Sequence, residues 1–351
     1  MGSTSSIAPM MLLLLVAVLV KPSSCLGFTC SSTVSSCKAV VGYTPQNKTT
    51  LSSIRTLFSI PDLRTLLSAN NLPDDTPPTR SVSSAETIRI PFACSCKNKT
   101  GTSVSTPTYI VKSGDTLDGI ASNVFSHLVT YTDIAKASNI SYPNVIEPGQ
   151  NVTIPLPCSC DSVDGAQVLH YGHVVAPGSN VSGIALQFGT TEKVLLDLNG
   201  MANASLLQAY QVLNVPLKVC NSSVKKDSLD YPLLVANDMH VYTANDCVKC
   251  SCNTTYRQIL NCIPSGLNSA NKTKCPSLQC GDGSTLGISV GSACNMSTCS
   301  YTGYYANSTI PVELITNSTC PATSPSGGST RSSGWVLTCL CTVAAVLLMF
   351  L

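Results

Sequence analysis

Tyr109-Ile110-Val111-Lys112-Ser113-Gly114-Asp115-Thr116-Leu117-Asp118-Gly119-Ile120-Ala121 opens the stretch on which the reading of this chain turns. It closes at Pro148-Gly149-Gln150-Asn151-Val152-Thr153-Ile154-Pro155. Residues 109–111 alternate as a short strand, and Gly114 supplies a turn. Asp115 stands where it can cap a helix. Leu117, Ile120, Ala121, Val124 and Phe125 then follow at i, i+3, i+4, i+7 and i+8, one apolar helical stripe. Thr130 and Asp133 have capping-box spacing, which predicts a second short helix through Ile134 and Ala135. Residues 152–154 read as a returning strand that Pro155 ends. The order is strand, helix, helix, strand.

Two further copies flank this one. The third aligns at an offset of 64 through its first helix: Val175, Gly178, Val181, Gly183, Ile184 and Ala185 match Val111, Gly114, Leu117, Gly119, Ile120 and Ala121. The first copy is divergent. Tyr43, Leu51 and Ile54 match Tyr109, Leu117 and Ile120, but no Gly-Asp pair precedes its helix. The three endings agree as Ile90-Pro91, Ile154-Pro155 and Val215-Pro216.

The chain has 351 residues, room for two or three small domains. Charged residues make up 11% and the formal net charge is +2, which leaves no basic footprint for nucleic acid. Nineteen cysteines point to an oxidising compartment. Twelve Asn-x-Ser/Thr sequons agree with that: Asn47, Asn98, Asn139, Asn151, Asn180, Asn203, Asn221, Asn253, Asn271, Asn295, Asn307 and Asn317. Residues 10–20 are an apolar run of signal-peptide length, although Lys21 follows the run instead of preceding it. Cleavage after Cys25 makes residues 1–25 the leader. At the other end, 335–351 is an uncharged apolar tail behind a Ser/Gly-rich linker, 321–334. Small residues, a polar spacer and a terminal apolar tail read as a GPI-anchor signal, with attachment at Ser326 and residues 322–324 as the alternative. A single short membrane span is the competing reading. Losing Cys25, Cys339 and Cys341 with the two ends leaves sixteen of the nineteen cysteines, an even number.

Each strand ending is followed by cysteine: Cys94-x-Cys96, Cys158-x-Cys160 and Cys220. On an extended tail, i and i+2 thiols that serve different partners suit this spacing, but six cysteines including Cys30 and Cys37 allow fifteen pairings. Residues 221–320 hold Cys247, Cys250, Cys252, Cys262, Cys275, Cys280, Cys294, Cys299 and Cys320. Short apolar runs make this a disulfide-held segment, with strands expected over 229–235 and 239–242. Cys247-x-x-Cys250-x-Cys252 has the look of a zinc knuckle, but in a secreted chain disulfides are the expected reading.

Tyr-x-Val-x-x-Gly-Asp-Thr-Leu-x-x-Ile-Ala, followed by an Asn-rich loop and Pro-Gly-Gln, resembles the LysM module. Lys225-Lys226-Asp227-Ser228-Leu229-Asp230, Thr243-Ala244-Asn245-Asp246-Cys247-Val248-Lys249-Cys250 and Tyr301-Thr302-Gly303-Tyr304-Tyr305 extend the likeness to GPI-anchored plant LysM receptors of the chitin elicitor-binding type. The resemblance implies an α+β fold of three tandem β-α-α-β modules, clamped by disulfides and followed by the cysteine-rich, mostly irregular or β segment. The modules would cover 26–97, 98–160 and 161–220. It implies the pairings Cys30–Cys96, Cys37–Cys160 and Cys94–Cys158. It also implies binding of N-acetylglucosamine polymers between two loops of module two: Ser113, Gly114, Asp115, Thr116, Leu117, Asp118 and Gly119 in one, Tyr142, Pro143, Asn144, Val145, Ile146, Glu147 and Pro148 in the other. In that groove Asp115 and Thr116 would offer polar atoms, and Leu117, Val145 and Ile146 an apolar patch for acetyl methyls. The implied partners are chitin oligosaccharides, a LysM receptor-like kinase and a ligand-bridged second copy, with a lipid anchor to the membrane.

Sequon Asn180 falls at the groove entrance of module three, and Asn47 lies near that of module one, which singles out module two. Asn139 stands just before its second loop, so a glycan there has to point away. Peptidoglycan is the alternative ligand, although the loops hold no basic cluster for its charged peptides. Catalysis finds little support. No His-Glu-x-x-His is present, and the four glutamates Glu86, Glu147, Glu192 and Glu313 are scattered where a glycosidase needs a facing pair. Asp161 and Asp164 read as a solvated turn and His173 as structural. Neither a cofactor nor a metal is expected, and no tyrosine or tryptophan stacking platform for a sugar is evident.

Overall fold

The computed structural model describes residues 28–31, 36–253, 258–268, 274–291, 295–306 and 309–318. The leader, Cys294, Cys320, Asn271, Asn307, Ser326 and the apolar tail lie outside the described residues. No helix among those described is long and apolar enough to cross a membrane.

The first unit runs from strand Ser36–Tyr43 through helices α1 (Leu51–Leu57) and α2 (Leu63–Ala69) to strand Ile88–Lys97. Thr50 and Asp62 cap the helices by accepting from the amides of Ser53 and Thr65. In the next stretch, strand Thr108–Ile110 pairs with Asn151–Thr153 around α3 (Leu117–Gly119) and α4 (Tyr131–Ala137). Thr130 and Asp133 form the reciprocal capping box. The cap of α3 is Thr116 and not Asp115: Thr116 Oγ1 accepts from Gly119 N at 3.0 Å. Asp115 is drawn back into the preceding turn, where its carboxylate accepts from Lys112 N at 2.8 Å. A π-helical turn, Ile120–Val124, follows α3, with Phe125 N donating to Ile120 O at 3.0 Å. Strand Val168–Val174, helices α5 (Val181–Phe188) and α6 (Glu192–Leu198), and strand Val212–Lys218 come next.

These units are not beads on a string. One apolar cluster takes Tyr43, Leu51, Ile54, Phe58 and Leu66 together with Tyr109, Leu117, Ile120, Phe125 and Ile134. Aromatic edges run through it: Tyr43 to Phe58 at 4.9 Å, Phe58 to Phe125 at 5.7 Å and Phe125 to Tyr109 at 6.1 Å between centroids. The strand order across the large sheet is Phe28–Thr29, Thr100–Ser103, Ile88–Lys97, Ser36–Tyr43, Val168–Val174, Val212–Lys218. Among the described residues its one parallel junction joins Tyr171 to Val40 and Gly172 to Val41. Gly42 is required there, because a Cβ would meet Tyr171 Oη at 1.9 Å.

Cys30 is bridged to Cys96, Cys37 to Cys160 and Cys94 to Cys158. Cys94 and Cys96, two positions apart, lie on the same face of strand Ile88–Lys97, and it is their separation along the strand that lets each reach a different partner. Asp161 is half-buried and accepts from Ser31 N at 2.9 Å, so it ties down the N-terminal strand; it is not a free solvated turn.

The later segment forms two small antiparallel sheets, Met239–Thr243 with Val248–Cys252 and Asn261–Pro264, and Ser289–Gly291 with Asn295–Tyr301 and Val312–Ser318. Residues 229–235 are not a strand. Pro232 has no N–H to donate, and the run makes a single isolated bridge beyond its end, Ala236 with Val219. Bridges Cys220–Cys252, Cys247–Cys275, Cys250–Cys262 and Cys280–Cys299 hold the segment, so the knuckle-like cysteines are engaged in disulfides. It docks on the first unit. Arg64 meets Asp246 at 3.2 Å, and Asp74 takes the Tyr242 hydroxyl and Lys249 Nζ. His240 is buried beside them, 3.9 Å from Asp74.

Two outcomes follow from this packing. Phe125→Ala should cost about 3–5 kcal/mol in urea unfolding of the disulfide-intact protein, since the ring is fully enclosed. Burial holds His127, His173 and His240 below the ordinary imidazole range, helped at His240 by Lys249 and opposed by Asp74. The unfolded chain then binds more protons than the native one below about pH 6.5. Stability should be full above that pH and fall on acidification. A Tm series across pH should show this fall, and His240→Gln should flatten it.

Candidate functional site

Two turns of the second unit share one design. In residues 112–115, Asp115 N donates to Lys112 O at 3.1 Å, and Lys112 N donates back to the Asp115 carboxylate. In residues 147–150, Gln150 N donates to Glu147 O at 3.0 Å, and Glu147 N donates back to Gln150 Oε1 at 3.1 Å. Gly114 and Gly149 each occupy the third position with φ of +88°, where a side chain would be strained. Two further bonds fasten the turns to each other: Val111 N to Gln150 O at 2.9 Å and Gly149 N to Val111 O at 2.8 Å. Residues far apart in sequence thus become one rigid platform.

Tyr109 braces it from beneath, donating from its hydroxyl to Asp115 Oδ2 at 2.9 Å. Burial, and then the Asp115 hydrogen bond and charge, push its phenol up to about 12. Ser113, Gly114, Thr116 and Asp118 on the first loop are exposed, as are Tyr142, Asn144, Val145, Glu147 and Pro148 on the second. Asp115, Gly119, Pro143 and Ile146 are half-buried, and Ile146 packs against the core.

Leu117 is not available for contact. It is 1% exposed and belongs to the core under α3, because the first residue of a helix capped by Thr116 turns inward with Ile120 and Ala121. The apolar surface comes instead from Tyr142, 75% exposed, and Val145, 68% exposed, held in one turn by Val145 N donating to Tyr142 O at 2.9 Å. Sequence reasoning recognised Tyr142 as a loop residue but missed its ring as an exposed platform. The available signal was its position between Ser141 and Pro143, in a loop with no apolar period to bury it.

The side-chain charges here are Lys112 against Asp115, Asp118 and Glu147, so no cationic cluster forms. Outside the site, Glu86 pairs with Arg80 at 2.8 Å, Glu192 accepts from the Ser182 hydroxyl, and Glu313 pairs with Lys225. Three of the four glutamates are thereby tied to a cation or a hydroxyl, where glycoside hydrolysis requires a facing pair of carboxylates. His173 sits between Tyr171 and Phe188 as a packing residue.

Tyr109 gives a spectroscopic readout of the brace. Its ionisation, taken as the difference from Tyr109→Phe in ultraviolet titration, should centre near pH 12. Asp115→Asn should bring it lower. The raised value also means that stability from this group is present below about pH 10 and is lost as pH rises through its native value.

The LysM domain family matches residues 109–155 and 173–216. The chain is 45% identical over 284 residues to LysM domain-containing GPI-anchored protein 2 of Arabidopsis thaliana, covering 81% of this chain and 80% of the relative. It is 40% identical over 316 residues to a chitin elicitor-binding protein of Oryza sativa subsp. japonica, covering 89% and 86%. Among solved structures, the ectodomain of a receptor-like kinase shares 21% identity at a TM-score of 0.43, over 52% of this chain and 93% of the other. This chain belongs to the plant LysM domain-containing GPI-anchored proteins, a non-catalytic, extracellular, lipid-anchored family.

Proposed function

We propose that the chain is a cell-surface receptor that binds chitin oligosaccharides on the stapled turns of its second unit. The observation that carries this is the paired-turn platform with Tyr142 and Val145 exposed beside it. An N-acetylglucosamine chain is uncharged and amide-rich, and it carries an apolar methyl on each sugar. Loop backbone held in fixed register suits its amides and hydroxyls, while an aromatic ring and a branched aliphatic chain suit its sugar faces and methyls. The relative in Oryza sativa is named for binding a chitin elicitor, and it aligns across nearly the whole length.

The charges favour chitin over peptidoglycan. Three carboxylates against one lysine would repel the carboxylates of the bacterial polymer's peptide stems. We read residues 26–97 as a divergent first LysM module, beside those at 98–160 and 161–220. The strand-helix-helix-strand order of its elements supports this. Residues 1–25 serve as leader, Ser326 as the anchor attachment point, and 221–320 as a disulfide-held base. The receptor signals through a LysM receptor-like kinase partner. A long oligomer can also bridge two copies, since linked sites raise effective concentration.

The test is titration of the secreted ectodomain with chitooctaose. Tyr142→Ser with Val145→Ser should weaken binding at least about tenfold, a loss of ~1.4 kcal/mol or more. Tm should stay within a few degrees, because both side chains are exposed. Unchanged binding in the folded double variant would move the site elsewhere. Muropeptides that compete as well as chitin fragments would move the ligand class to peptidoglycan.

A further inference from the structure

The third unit repeats the platform of the second. Ser179 N donates to Ala176 O at 3.1 Å, Gln211 N to Gln208 O at 3.3 Å and Gln208 N to Gln211 Oε1 at 3.2 Å. Val175 N donates to Gln211 O at 2.9 Å and Tyr210 N to Val175 O at 2.8 Å, so the two turns are stapled as before. Tyr210, with φ of +66°, stands where Gly149 stands, and its ring lies 4.4 Å from that of His127.

Matching these bonds residue by residue puts Asn180 in the place of Thr116 and Asn203 in the place of Tyr142. Both asparagines open sequons, Asn180-Val181-Ser182 and Asn203-Ala204-Ser205. Both are exposed. Each has Oδ1 engaged by nearby backbone, Asn180 by Gly183 N at 2.7 Å and Asn203 by Ser205 N at 3.0 Å. Both caps use Oδ1, so Nδ2, the nitrogen that carries a glycan, takes no part in them. Leu206, 50% exposed, and half-buried Leu207 fall where Val145 and Ile146 fall in the second unit.

We infer that the third platform is covered by the chain's own N-linked glycans, one on each of its two loops, at Asn180 and Asn203. In the modification, Nδ2 displaces the diphosphate of a lipid-diphosphate-linked oligosaccharide at its anomeric carbon. An N–C bond forms, the C–O bond to phosphate breaks, and the amide gives up one proton. The first sugars attached are N-acetylglucosamine, so the acetyl methyls that would seek Leu206 are supplied from within the molecule. The second unit differs. Its nearby sequons are Asn139, at φ of +55° just past α4, and Asn151, at the edge of strand Asn151–Thr153. Neither coincides with Thr116 or Tyr142. On the chitin-binding reading, from which this last step follows, each chain then offers one open platform and long oligomers must recruit a second chain.

The test uses the full ectodomain secreted from plant cells. Peptide mass spectrometry after enzymatic glycan release in heavy-oxygen water should find Asn180 and Asn203 occupied in most molecules. Finding either one mostly bare would overturn the inference. Ser182→Ala with Ser205→Ala removes both sequons while keeping the two asparagine caps. In hydroxyl-radical footprinting, Leu206 should react several-fold faster in that variant than in wild type, with Leu186, 85% exposed, as the internal reference. Equal Leu206 reactivity would show that the glycans leave the platform uncovered. Neither readout needs an added saccharide, so failure of the chitin-binding reading and failure of this one are told apart.

Discussion

A strand-helix-helix-strand unit of under fifty residues encloses too little apolar area to stand well alone. Everything in this molecule answers to that shortage. The first unit lends its interior to the second through Phe58 and Phe125, and lends a strand edge to the third through Val40 and Val41. Three disulfides then fasten the strand tails to each other, which limits the entropy of the unfolded chain. The first unit, weakest as a sequence match, is therefore the structural centre. Its divergence fits a piece whose surfaces are spent on neighbours.

The rigidity so obtained is what a recognition surface needs. A platform of main-chain groups works only if its turns keep their spacing, because ordering them on binding would cost free energy. Here the spacing is set by four reciprocal hydrogen bonds within the turns and two between them. The side chains of the site are left to decorate this frame, and the same frame in the third unit carries different decoration. On that shared scaffold, sequon asparagines Asn180 and Asn203 take the places of Thr116 and Tyr142.

Much of this was legible in the residues themselves. Turn glycines, the Thr130–Asp133 capping box and the apolar stripe from Leu117 to Phe125 are local signals, and local signals survive into the fold. The stripe even held through a π-helical turn, because burial of Phe125 depends on which side it faces, not on helix type. What stayed hidden was non-local or competitive. Asp115 and Thr116 were both able to cap, and the hydrogen bonds to Lys112 N and Tyr109 decided between them. Leu117 looked equally suited to core and to ligand until packing assigned it. The parallel junction of Tyr171 with Val40 rests on two residue pairs more than a hundred positions apart, and no periodicity announces such a pairing.

Cys37 and Cys94 lie directly opposite each other in the register of adjacent antiparallel strands, yet each is bridged elsewhere, to Cys160 and Cys158. During synthesis both thiols enter the oxidising lumen well before their true mates, which trail Cys94 by 64 positions or more. For that interval the nearest thiol to each is the wrong one. The secretory pathway must therefore hold this pair reduced or reshuffle it. Export of the receptor is consequently tied to the thiol-exchange capacity of the cell that makes it.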